Sequence, residues 1–206
     1  MDVGTAYGLL LDEIYPRRGI MWPLPSADGE RVALVQLREV RVDEVGEGEG
    51  RRLRPSRLAD VCLLPAGGGD PQPLFGDGTA AGPAVWAPDG RRLVCERQGH
   101  GLQVVQLPPA VGGSAAAGAT LEPPRTILRE PLYRPPLAPG DLDLGLPRWA
   151  PDGQSLLVAV RDGPCTQLLQ LDAGGRWRRE LLAVEGYLIG WDWAHDGSAA
   201  VVVTRE

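Results

Sequence analysis

The chain has 206 residues and a formal net charge of −6; all 21 of its cationic residues are Arg, with no Lys or Asn, one Phe and two His against 28 Gly and 20 Pro. That acidic balance excludes the clustered positive surface that phosphate binding needs, so no nucleic-acid partner is expected, and the Arg-only basic set reads as the mark of a GC-rich genome. No run of about 18 apolar residues exists to span a membrane, and Met1-Asp2 opens neither a basic n-region nor an apolar h-region, so a cytoplasmic protein is expected.

Residues 1–19 form an N-terminal extension. Ala6, Leu9, Leu10 and Ile14 share one helical face, Thr5 is placed to cap it, and Pro16 and Gly19 end it. A motif then recurs. Trp stands three residues ahead of Asp-Gly in Trp86-Ala87-Pro88-Asp89-Gly90, Trp149-Ala150-Pro151-Asp152-Gly153 and Trp193-Ala194-His195-Asp196-Gly197, and a degenerate copy, Pro25-Ser26-Ala27-Asp28-Gly29, precedes them. Self-similarity of this kind marks one supersecondary unit stacked several times over a shared core.

Each copy reads as a hairpin. An apolar strand (Ala84 to Trp86, or Leu146 to Trp149) meets a turn in which Pro presets φ, Asp bonds its own backbone and Gly takes positive φ. A second strand follows at Arg31 to Val35, Leu93 to Cys95, Leu156 to Val160 and Ala199 to Val203. These runs are nearly continuous in apolar residues, as in strands covered on both faces. Third strands fit Val61 to Leu64, Leu102 to Leu107 and Gln167 to Leu171, and fourth strands Gln72 to Phe75, Arg125 to Leu128 and Arg179 to Leu182.

Four antiparallel strands per unit, stacked radially, make a β-propeller blade. The expected fold is therefore all-β, a partial propeller over residues 20–206 with blades at about 20–76, 82–130, 145–184 and 186–206. Charged, Gly-spaced Asp43 to Gly50, with Arg51, Arg52, Arg54 and Arg57, reads as a loop interrupting the first blade. Pro108 to Pro124 and Pro131 to Asp143 read as further insertions. The fourth copy reaches only its second strand, three and a half blades in all, so the chain is expected to be the front part of a longer propeller.

Little chemistry accompanies the repeat. Cys62 and Cys95 fall in expected strands and Cys165 in a turn; the three have no paired spacing and read as small hydrophobes in a reducing compartment. No G-x-S-x-G is present. Ser155 with His195 and an Asp is the one conceivable triad, against which His195 and His100 read as exposed turn residues. Gly67 to Gly69 and Gly112-Gly113 lack the Lys-Ser/Thr end of a phosphate loop. Asp141, Asp143, Glu44, Glu47 and Glu49 lack calcium-loop spacing. No metal or cofactor is expected. Trp191 and Trp193 share a strand face and read either as a stacking platform or as wedges between blades, the latter favoured because Trp86 and Trp149 fill the matching slot.

The order of apolar strand, Trp-x-Pro-Asp-Gly, basic residue, Leu-Val run and Gly-Gly turn resembles the WD-like repeats of TolB-like proteins. It is still more similar to the N-terminal propeller of prolyl oligopeptidase family serine peptidases, of acylaminoacyl and dipeptidyl peptidase type. The likeness covers residues 20–206, including the opening copy without Trp and the Gly68-to-Pro71 turn. It implies a following α/β-hydrolase domain whose site the propeller shields, restricting it to short peptides. None of that family's catalytic motifs occurs here, so no catalytic residue can be assigned. The alternative implication is a TolB-like or WD-type protein-interaction module without an enzyme. The repeat residues Trp86, Asp89, Gly90, Trp149, Asp152, Gly153, Trp193, Asp196, Gly197, Asp28 and Gly29 carry the structural reading. The expected partners are further blades and a hydrolase domain, or another protein.

Overall fold

The computed structural model describes residues 20–44, 52–77, 79, 81–108, 122–133 and 145–205. The helix expected near residues 5–14 lies outside them. Among the described residues the chain is all-β, without an α-helix, and every sheet is antiparallel.

Consecutive strands build each sheet. The first holds β1 (Ile20–Pro25), β2 (Arg31–Glu44), β3 (Arg52–Pro65) and β4 (Gln72–Pro73) in that order. The second holds β5 (Ala81–Trp86), β6 (Arg92–Arg97), β7 (Gly101–Gln106) and β8 (Arg125–Leu128). The third holds β9 (Arg148–Trp149), β10 (Ser155–Asp162), β11 (Cys165–Asp172) and β12 (Arg178–Glu185). The fourth has only β13 (Tyr187–Trp193) and β14 (Ala200–Arg205). The first strands meet in succession, β1 with β5, β5 with β9 and β9 with β13. Short sequence-local hairpins therefore stack along one line of inner strands.

Strands with two apolar faces serve two interfaces at once. In β6, Leu93 and Cys95 face the first sheet, packing with Ala33, Val61 and Leu63. Val94 between them faces the third sheet, beside Leu156, Val158 and Leu169. In β10, Leu157 and Ala159 turn the other way, onto Leu188 and Trp191 of the fourth sheet. That division is why these strands read as unbroken apolar runs.

Three expectations are corrected. Asp43, Glu44, Arg52, Arg54 and Arg57 lie not in a loop but in a long ribbon in which β2 pairs with β3 from Arg31↔Pro65 to Glu44↔Arg52. The alternation Leu37-Arg38-Glu39-Val40-Arg41-Val42 carries the strand past Val35, with Glu39 in register with Arg57 and Glu44 with Arg52. Cys165 opens β11 instead of lying in the turn, because Gly163 (φ 58°) and Pro164 alone make that turn. β9 is only Arg148–Trp149, since Pro147 cannot donate to a ladder.

Candidate functional site

The four Asp-Gly turns have one geometry. Ser26, Ala87, Ala150 and Ala194 donate their amides to the carbonyls of Arg31, Arg92, Ser155 and Ala199, each at 2.8 Å. The glycine amides of Gly29, Gly90, Gly153 and Gly197 donate back to those same four residues at 2.8–3.0 Å. Each glycine has φ between 66° and 72°, the left-handed region that β-carbon-bearing residues avoid. Each Asp accepts through Oδ1 from the amide two residues on: Asp28 from Glu30, Asp89 from Arg91, Asp152 from Gln154 and Asp196 from Ser198. The Ser26 hydroxyl holds the Asp28 carboxyl below its usual range, and the Ser198 hydroxyl does so at Asp196. At Asp89 burial pushes the other way, but donors from Arg91 and Arg92 outweigh it.

The tryptophans join the sheets. Trp86 Nε1 donates to Leu24 O at 2.8 Å, Trp149 Nε1 to Val85 O at 3.1 Å and Trp193 Nε1 to Arg148 O at 3.2 Å. Every acceptor is the residue just before the Trp position of the preceding copy, so each unit is fastened backward by the same bond. The Arg92 guanidinium stands 5.2 Å over the Trp149 ring while its Nε donates to Asp89 at 2.7 Å. The turns also pack in a row. A β-carbon on Gly90 would lie 3.1 Å from Asp28 Cγ, on Gly153 2.8 Å from Arg92 Nη2, and on Gly197 3.4 Å from Pro151 Cδ.

The row ends at an open surface. β14 pairs only with β13, leaving its other edge unpaired among the described residues. Val201 and Val203 on its outward face are 59% and 55% exposed, with Asp192 beside Val201 in register. Ala200 and Val202, on the opposite face, pack against the third sheet. Neutral Ala200 to Thr204 carries none of the Lys or Pro that guard a free edge.

The conceivable triad is not assembled. Ser155 is buried in β10 with its Oγ accepting from Gln170 at 3.1 Å, whereas His195 is exposed in the fourth turn. Trp191 is buried against the third sheet and the Trp193 N–H is engaged, so the pair forms no open platform. Burial raises the Cys62 thiol to about 11 and the Cys95 thiol to about 12, which leaves both unreactive at neutral pH. No group of three or more metal-ligating side chains occurs among the described residues.

Two hollows escaped the sequence reading. One, of about 580 Å³, is lined by Ala81, Glu96, Arg97, His100 and Arg129. Two of its charged groups already have structural work: Glu96 accepts from the Leu132 amide at 3.0 Å, and Arg97 stacks 4.3 Å over Phe75 while pairing with Asp77. The other, of about 310 Å³ between the second and third sheets, gathers Arg92, Arg125 and Arg176 around Asp172. There Asp172 accepts from the Gly174 amide and from Arg176 Nε and Nη2 at 2.7–3.0 Å, and the Arg176 guanidinium foremost holds its carboxyl at about 2.

These features define an all-β chain of repeated antiparallel units. No family model matches the chain, and no curated protein matches it. Among solved structures, TolB from Acinetobacter baumannii is similar with a TM-score of 0.28 and 15% identity, over 79% of this chain and 54% of that one. The chain thus spans about half the length of that structure.

Proposed function

We propose that residues 20–206 are an open segment of β-propeller, with β1, β5, β9 and β13 as its inner strands, and that it acts as a non-catalytic protein-interaction module. The observation that carries this reading is the repeated joint, in which Trp86, Trp149 and Trp193 each fasten one sheet to the sheet before it, together with the exposed Val201 and Val203 on β14. An extended apolar strand is a ready template for a partner strand, because backbone groups supply affinity and alternate side chains supply choice.

The repeat order gives the module a finer form: the access-limiting propeller of a prolyl oligopeptidase-type serine peptidase, working in the cytoplasm on peptides that a separate hydrolase domain cleaves. A G-x-S-x-G followed by Asp and His downstream in the coding sequence supports that form, and further blades alone support the module without an enzyme. Sedimentation velocity tests the common reading. The isolated chain should associate reversibly with rising concentration, and Val201→Lys with Val203→Lys should disperse it. A compact 22.0 kDa monomer at all concentrations would refute the interaction edge.

A further inference from the structure

The second sheet departs from the repeat where β6 runs into its turn with β7. Seven and eight residues after the turn Asp the other copies have Val35-Gln36, Ala159-Val160 and Val203-Thr204, whereas the second has Glu96-Arg97. Stacking of the sheets therefore requires no charge at this place, and burying one is costly. Arg97 is nonetheless only 7% exposed. Phe75 lies under its guanidinium, Gln103 accepts from Nη1 at 3.3 Å, Asp77 pairs with Nη2, and its buried Nε has no hydrogen-bond partner. Glu96 holds the segment after β8 through the Leu132 amide. Both residues line the cavity of about 580 Å³, a volume within the range of roughly 300–1,000 Å³ usual for small-molecule pockets.

The bonding capacity left in that cavity is mostly donor. Gly101 (φ 81°) carries no β-carbon, and one placed there would come within 2.8 Å of Arg129 Cα, so its absence lets β7 close on the end of β8 and brings Arg129 and the His100 turn into one lining. Both side chains are exposed, and neither has a hydrogen bond or ion pair among the described residues. A guanidinium offers donors only, in a fork that fits a carboxylate with two parallel bonds. Charge selects among anions. Arg97 is matched by Asp77 and Arg129 by Glu96, so with His100 neutral a monoanion leaves one charge unbalanced and a phosphate dianion two. We infer that this cavity binds a small carboxylate, taken by the Arg129 guanidinium and the His100 ring N–H against a wall fixed by Glu96 and Arg97. No residue of the fourth sheet lines it, so the site stands or falls apart from the interaction face of β14.

A carboxylate of this kind is carried by a free small acid or by the C-terminus of a short peptide. N-acetylalanine is the probe, with uncharged N-acetylalaninamide as its match. In ¹H–¹⁵N spectra of the full chain the acid should shift the amides of residues 97–101 and the Arg129 Nε–H in a saturable way, and the amide compound should leave them in place. Arg129→Gln should weaken binding about tenfold and His100→Ala about threefold, as expected for loss of charge-assisted and single hydrogen bonds. Arg129→Lys, which keeps the charge without the fork, should also weaken it, while Arg91→Gln, outside the cavity, should not. N-acetyl-tetraalanine distinguishes the sources: binding at least as tight as that of N-acetylalanine assigns a peptide C-terminus, and loss of binding assigns a free acid. Equal shifts from acid and amide, shifts scattered over other arginines, binding indifferent to Arg129→Gln, or tighter binding of inorganic phosphate at the same amides would each overturn the inference.

Discussion

Trp149 is the most exacting place to test the joint between sheets. Its ring is buried at 8% exposure, its N–H meets Val85 O at 3.1 Å, and Arg92 covers its face. Truncation to Ala removes an aromatic that buries roughly 150–250 Å²; at about 25 cal/mol per Å² that is roughly 4–6 kcal/mol as an upper bound. Deletions of buried aromatics cost about 3–5 kcal/mol, so Trp149→Ala should fall in that range. Trp149→Phe keeps most of the ring but strands the Val85 carbonyl, for a loss of about 1–2 kcal/mol. Trp177, 46% exposed at the turn into β12, is the control, and its truncation should cost less than about 1 kcal/mol. Urea unfolding followed by far-UV circular dichroism reads all three as shifts in midpoint at constant slope. Equal losses for Trp149→Ala and Trp177→Ala would refute the assignment of the interior.

Other perturbations follow from the same geometry. Gly101 (φ 81°) lies so close to the next segment that a β-carbon would sit 2.8 Å from Arg129 Cα, whereas Gly29 (φ 72°) has nothing within 4 Å. In thermal melts Gly101→Ala should therefore cost about 2–4 kcal/mol and Gly29→Ala about 1, the left-handed strain alone. The folded Asp172 carboxyl lies near 2, below its unfolded value, so its contribution is present above about pH 4 and is lost as pH falls toward 2. Since Arg176 is mostly exposed, solvent screens the pair and the contribution is modest; Asp172→Asn should remove it and flatten the acid limb of a stability-against-pH curve. The chain should hydrolyse no acylated or dipeptide chromogenic substrate, and any turnover abolished by Ser155→Ala or His195→Ala would overturn the non-catalytic reading.

Much of the fold could be read from local chemistry because the turns are local. Pro, Asp and Gly at fixed offsets specify one backbone path whatever lies around them, and Asp28 to Gly29 keeps that path with neither Trp nor Pro in its usual places. The joint was not legible for the opposite reason. Its acceptor is a carbonyl, which every residue has, so Leu24, Val85 and Arg148 share no side-chain signal. The ribbon is hard to read because the charged, Gly-spaced run from Asp43, with Arg52, Arg54 and Arg57 beyond it, has the composition of a solvated loop, and only the strand register of β2 on β3 shows that its ends continue the ladder. Arg31 and Arg97 were equally hidden. Sequence treats Arg as solvent-facing, but Arg31 is buried donating to Pro108 O, and Arg97 is buried against Phe75, the only Phe in the chain.

The backward direction of the indole bonds bears on how the chain folds as it leaves the ribosome. Each acceptor precedes its donor by 62, 64 or 45 residues, so the carbonyl has already been made when its tryptophan emerges. Sheets are closed from neighbouring strands, and loop closure over such short separations is fast compared with synthesis at about 5–20 residues per second. Every new unit thus meets a finished template. Assembly proceeds from the N-terminal end as a zipper, and a pause after Glu185 has emerged but before Trp193 has would hold a partly built chain whose newest face is the third sheet, with Leu157 and Ala159 open to chaperones.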